Sequence, residues 1–193
     1  MVESESNERY FGRVAVRAAA GEIIDQPVEA IVYAANGRGM MDAGFPGSIR
    51  LAGGAEIERE AMTLAPHRTG TVFITGSGRL KARGIEFIFH LVLSGMLGES
   101  PRREFFPRTL ALALEMAEQR RIRSIAIPLL GATIDASEDE RRTAADIVVD
   151  AIVSHLRRTS SRFDLIVVVS RFDDDLPVIA AALERARKRS WVE

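Results

Sequence analysis

The stretch from Ala30 to Gly54, AIVYAANGRGMMDAGFPGSIRLAGG, constrains this chain more than any other. Its first six residues are nearly all apolar, as in a strand buried on both faces of an α/β sheet rather than one alternating against water. Asn36 then opens a loop with glycines at 37, 39, 44 and 47, and Ser48 leads into Ile49, Leu51 and Ala52, which begin a helical pattern. A strand, a glycine-rich loop and a helix in that order place unpaired N–H groups and the positive end of a helix above the strand's carboxyl end. Such a place favours a phosphate or another anion.

The remaining segments supply a sheet for that strand. Residues 13–18 alternate as a strand does, and Gly21-Glu22-Ile23-Ile24 follows a break. After the glycine loop, apolar residues at 49, 52, 57, 61 and 64 predict a helix over 48–64, bent near the Gly53-Gly54 pair and ended by Pro66. TVFIT at 71–75 and IEFIFHLVL at 85–93 predict two strands able to pair as an antiparallel edge. A helix follows around Leu110, Ala113, Leu114 and Ala117. SIAIPLL at 124–130 predicts a buried strand, with Pro128 near its end because proline cannot donate to a ladder. Ser137 and Glu140 form a capping-box pattern that starts the next helix. LIVVV at 165–169 is the last buried strand, and Asp173-Asp174-Asp175 caps the final helix. Strands and helices largely alternate, which predicts a three-layer α/β/α domain whose ligand lies at the strands' carboxyl ends. One domain over 11–189 is expected, between a polar leader at 1–10 and a short tail at 190–193.

Composition removes several chemistries. The 193 residues include no cysteine, so there is no disulfide framework, thiolate zinc site or cysteine nucleophile. His67, His90 and His155 stand far apart, with no Ser or acid placed beside them as in a triad, and no metal site or cofactor is expected. A formal net charge of -1 gives no global pull toward nucleic acid. The basic run around Arg185, Arg187, Lys188 and Arg189 reads as the dipole-complementary end of a helix. No apolar run approaches the roughly 20 residues needed to span a bilayer, and the polar, acidic start is not a signal peptide. A cytoplasmic location is expected.

Gly21-Glu22-Ile23, Val32 to Asn36, Gly44-Phe45-Pro46-Gly47-Ser48-Ile49 with Ala52-Gly53, and Pro128-Leu129-Leu130-Gly131 resemble, in order and spacing, the landmark motifs of macro domains, which bind ADP-ribose. The resemblance implies a central, mostly parallel six-stranded mixed sheet with ADP-ribose, free or attached to a modified protein, across the strand ends. Glu22 matches the family aspartate that accepts a hydrogen bond from the adenine amino group, and Ile23 would line the adenine slot. Phe172 matches the aromatic that stacks on adenine, a contact worth about 1–3 kcal/mol by analogy with base stacking. Asn36 matches an asparagine that meets the distal ribose. Gly44, Phe45, Gly47 and Ser48 would wrap one side of the diphosphate, and Gly131, Ala132, Thr133 and Ile134 the other.

The chain also departs from the family pattern. Tyr33 replaces the family's first asparagine, and Asp42-Ala43-Gly44 replaces three glycines. Pro46 stands where hydrolases of the family often carry an aspartate that helps place water, and it removes one N–H from the diphosphate loop. Asp135 aligns with an aspartate that one branch uses, with a lysine, to release ADP-ribose from glutamate. It also reads as a turn residue held by its own backbone, and the nearest lysine, Lys81, lies beyond a glycine break. Asp42 reads either as a solvated loop acid or as a general base. Binding of ADP-ribose is the first expectation. Hydrolysis of an ADP-ribosyl ester through Asp135 or Asp42, or binding of another nucleotide, is the alternative.

Overall fold

The computed structural model describes residues 7–96, 99–130 and 136–190. Seven strands form one mixed sheet: β1 (Glu8–Phe11), β2 (Val14–Ala20), β3 (Ala30–Asn36), β4 (Val72–Gly76), β5 (Phe87–Ser94), β6 (Ser124–Pro128) and β7 (Leu165–Ser170). Their spatial order is β1-β2-β7-β6-β3-β5-β4. The five middle strands run parallel, which sends all their carboxyl ends to one edge. The near-continuous apolar runs of β3, β5, β6 and β7 suit this position, because helices cover both faces of a parallel sheet. The two outer strands are antiparallel to their neighbours, β4 against β5 as expected and β1 against β2.

β1 is the strand beyond the six expected, and its first three residues fall in the stretch 1–10 read as a polar leader. Its carboxyl end joins β2 through a tight turn in which Gly12 has φ +62°. The Glu8 and Arg17 side chains pair across the two strands at 2.9 Å, and Arg9 reaches Glu184 on the last helix at 2.7 Å. These charged side chains suit a short sheet edge that must not pair with another chain.

Five α-helices complete the layers: α1 (Gly44–Gly53), α2 (Ala55–Thr63), α3 (Phe106–Gln119), α4 (Glu138–Arg158) and α5 (Leu176–Ser190). The helix expected over 48–64 is two helices, and the first begins at Gly44. Gly54, with φ +111°, breaks the pair, a conformation that disfavours any side chain. The capping box at α4 is formed: Glu140 N donates to Ser137 Oγ at 3.3 Å, and Ser137 N donates to Glu140 Oε2 at 2.8 Å.

Alternate residues of each strand feed two cores. Val32, Phe89, Ile127 and Val168 pack with Leu110, Leu114, Val148, Ile152 and Leu183 from α3, α4 and α5. On the opposite face a second, lower core forms where Ile31, Tyr33, Ile88 and Val167 pack with Ile49 and Ile57 from α1 and α2. Complete burial of each large aliphatic side chain contributes about 1.5–3 kcal/mol. The three-layer reading is therefore what the strand periodicity requires.

Candidate functional site

The carboxyl edge of the parallel strands carries the candidate site. β3 and β5 pair in register up to Ala35, then shift so that Asn36 lies opposite Ser94. An irregularity there turns the chain out of the sheet. Asn36 Oδ1 accepts from Arg38 N at 3.0 Å and Met40 N at 3.2 Å, while its Nδ2 donates to Met40 O at 2.8 Å. Asn36 thus folds its own loop. From α2, Glu58 Oε1 accepts from Met41 N at 2.7 Å, and the Met41 side chain is buried in the lower core. Gly47 is required where α1 crosses the loop: an added Cβ would lie 2.2 Å from Asp42 O.

The opposite end of the edge is built by β2 and β7. Ser170 Oγ donates to the fully buried Asp175 and accepts from Phe172 N at 3.2 Å. Asp175 Oδ1 lies 3.3 Å from Arg141 Nη1, and Arg141 Nε donates to Ala136 O at 3.0 Å. A carboxylate this deep needs such a partner, since an unpaired buried charge costs several kcal/mol. The result ties the end of β7 to the start of α4 and leaves the Phe172 ring 36% exposed, available as a flat apolar platform.

Arg171, between those two anchors, points across the edge. Its Nη2 donates to Ser48 Oγ at 2.6 Å and to Gly44 O at 3.2 Å, and lies 2.6 Å from Glu22 Oε1. Its guanidinium carbon sits 4.9 Å from the centroid of the Phe45 ring, a cation–π contact. The other Glu22 oxygen, Oε2, is buried and has no hydrogen-bond partner among the described residues. A cavity of about 330 Å³ opens beside these groups, lined by Gly44, Phe45, Leu129, Leu130, Arg171 and Phe172 among others. Pro101 also borders a second pocket of about 160 Å³, which holds Asn36, Asp42, Pro46 and Ser94.

The structure thus gathers Glu22, Gly44, Phe45, Ser48 and Phe172 at one place, with Asn36 and Asp42 in the adjoining pocket. Gly47 lies half-buried in the first turn of α1. Ile23, expected to line an adenine slot, is fully buried in the lower core. Gly131, Ala132, Thr133, Ile134 and Asp135 lie outside the described residues. Arg171 is the site residue that the sequence reading omitted. Its signal was a cation next to Phe172 at a strand's carboxyl end, but its partners Gly44 and Ser48 stand 127 and 123 residues away.

Tyr33 is not part of this edge. It points into the lower core, where its hydroxyl hydrogen-bonds His90 Nδ1 at 2.7 Å, and His90 Nε2 bonds Thr75 Oγ1 at 2.8 Å. The His90 ring stacks on Phe73, which stacks on His67. Burial, with a smaller contribution from His67, lowers the His90 pKa to about 3. Burial also pushes the Tyr33 phenol above its ordinary range, with Glu58 adding to the effect. Both groups are neutral, so the imidazole donates through one ring nitrogen and accepts through the other. Among the described residues no group of three His, Asp or Glu side chains suits a metal ion, and no helix is long and apolar enough to cross a membrane.

Residues 32–145 match the family model described as Macro domain. Similar curated proteins include an ADP-ribose glycohydrolase of Archaeoglobus fulgidus, 33% identical over 147 residues that cover 69% of this chain and 76% of the relative. A macro domain-containing protein of Caldanaerobacter subterraneus is 29% identical over 178 residues, covering 90% of this chain and 98% of its own. Among solved structures, the Oceanobacillus iheyensis macrodomain with ADP superposes with a TM-score of 0.80 at 22% identity, covering 94% of this chain and 96% of that one. A Trypanosoma brucei macrodomain in complex with ADP-ribose gives a TM-score of 0.73 at 21% identity, with 87% and 68% covered.

Proposed function

The chain belongs to the macro domain family, and on that premise we propose that it binds ADP-ribose, free or carried on a modified protein, along the carboxyl edge of its sheet. The observation that supports this most is the meeting of three remote segments at Arg171, which joins Glu22 to the first residues of α1 and lines a cavity with Phe172. Each end offers matching chemistry. Glu22 Oε2 is a buried acceptor without a partner, suited to an exocyclic amino group. Phe172 offers a ring face for a purine. The start of α1 offers N–H groups and a positive dipole end for phosphates. Calorimetric titration with ADP-ribose tests the reading; absence of heat up to millimolar ligand rejects it. Retention of an auto-modified ADP-ribosyltransferase on the immobilised chain tests the protein-bound form.

A second reading, hydrolysis, is supported by Asp42. Its carboxylate lines the pocket that also holds Asn36, and it has no hydrogen bond or ion pair among the described residues. A free carboxylate there can accept a proton from water as that water attacks an ADP-ribosyl ester, releasing ADP-ribose and the acceptor carboxylate. Pro46 beside it has no proton to exchange. Asp135 remains a candidate for the same role. Incubation with the auto-modified transferase, followed by measurement of free ADP-ribose, separates the readings: release abolished by Asp42→Asn assigns the base. Release that survives Asp42→Ala with Asp135→Ala rejects both acids.

A further inference from the structure

We propose that Arg171 is a ligand-binding residue that spans the site, steadying Glu22 at the base end and receiving the diphosphate at the start of α1; this rests on the ADP-ribose reading above. Nη2 is shared among Ser48 Oγ at 2.6 Å, Glu22 Oε1 at 2.6 Å and Gly44 O at 3.2 Å. Among the described residues Nε and Nη1 have no acceptor, which leaves three N–H groups of the guanidinium fork. That fork matches the spacing of phosphate oxygens, and its charge makes each bond stronger than one from a neutral donor. Arg171 also lines the cavity wall beside Phe172.

Two further features require a cation at this position. Pro46 withdraws one backbone donor from the first turn of α1, so the loop is a poorer phosphate receptor than a loop with an N–H at every residue. In addition, Glu22 places a carboxylate at the same edge, which would repel a diphosphate. Arg171 offsets both. It lies 2.6 Å from Glu22 Oε1 and screens that charge, while the buried Oε2 is left without a partner. The guanidinium carbon lies 4.9 Å from the Phe45 ring centroid, and this contact with the bonds from Nη2 restricts the side chain, so less conformational freedom remains to be lost on binding.

The test is calorimetric titration of the full wild-type chain, Arg171→Gln and Arg171→Lys with ADP-ribose and with adenosine, at low and high salt. Thermal unfolding of each variant is recorded alongside. Arg171→Gln is expected to weaken ADP-ribose roughly ten- to hundredfold, the range for hydrogen bonds to a charged group, with adenosine changed only a few-fold. The salt dependence of ADP-ribose binding should also become shallower. Arg171→Lys, which keeps the charge and loses the fork, should fall between. Equal losses for ADP-ribose and adenosine, or no loss for either, overturn the proposal while the ADP-ribose reading stands. If the wild-type chain itself takes up no ADP-ribose, that reading fails and the proposal falls with it.

Discussion

Acid should destabilise this protein through His90 well before its carboxylates titrate. The imidazole is fully buried, bonded on both nitrogens, and has its pKa lowered to about 3. An unfolded histidine has a pKa of about 6.5. Between those values the unfolded chain binds a proton that the folded chain refuses, so stability rises with pH and is lost as pH falls. Each pH unit below about 6.5 costs about 1.4 kcal/mol, or about 2 kcal/mol between pH 7 and pH 5. That is a large part of a typical total of about 5–15 kcal/mol. Glu184, held down to about 2 by Arg187 and Arg9, adds its own loss only at lower pH, below the ordinary glutamate range. Urea unfolding at pH 7 and pH 5 of wild type and His90→Gln measures the effect. The variant starts less stable, but it should lose about 2 kcal/mol less between the two pH values. An equal loss in both proteins, or an imidazole NMR titration placing the His90 pKa near 6, would refute the argument.

Three further outcomes follow from the site. Phe172→Ala should weaken ADP-ribose by about 1–3 kcal/mol, the scale of one stacked base, and leave the unfolding midpoint nearly unchanged because the ring is 36% exposed; a large fall in midpoint would contradict the platform role. Asn36→Ala removes the acceptor of two loop N–H groups and the donor to Met40 O. Amide exchange at Arg38 and Met40 should therefore quicken markedly, and unchanged protection would show that the loop holds itself. Gly47→Ala forces a Cβ to within 2.2 Å of Asp42 O, so a loss of about 1–3 kcal/mol in urea unfolding is expected, together with weaker ADP-ribose binding.

Elements made from local pattern were legible in the chain. The apolar run before Asn36, the Ser137–Glu140 box and the position of Pro128 at the end of β6 each depend on residues a few places apart. The landmark motifs likewise pointed to the sheet edge where Glu22, Ser48 and Phe172 meet. β1 was not legible because four residues with two charges carry little apolar signal; β2 and the Glu184 side chain on α5 hold it in place. Gly54 was read as a bend, and only its positive φ shows that the helix stops there.

The sequence by itself determined the order of most strands and helices, the three layers and the glycine loop at the carboxyl edge of the sheet. Those follow from hydrophobic period, capping and turn chemistry, all of which act over short separations. The tertiary structure decided where side chains from distant segments point. It turned Tyr33 inward to His90, committed Asn36 to its own loop, buried Ile23 and carried Arg171 across to Glu22, Gly44 and Ser48. No local rule contains those outcomes, because each is set by partners that only the packed sheet brings within hydrogen-bond reach.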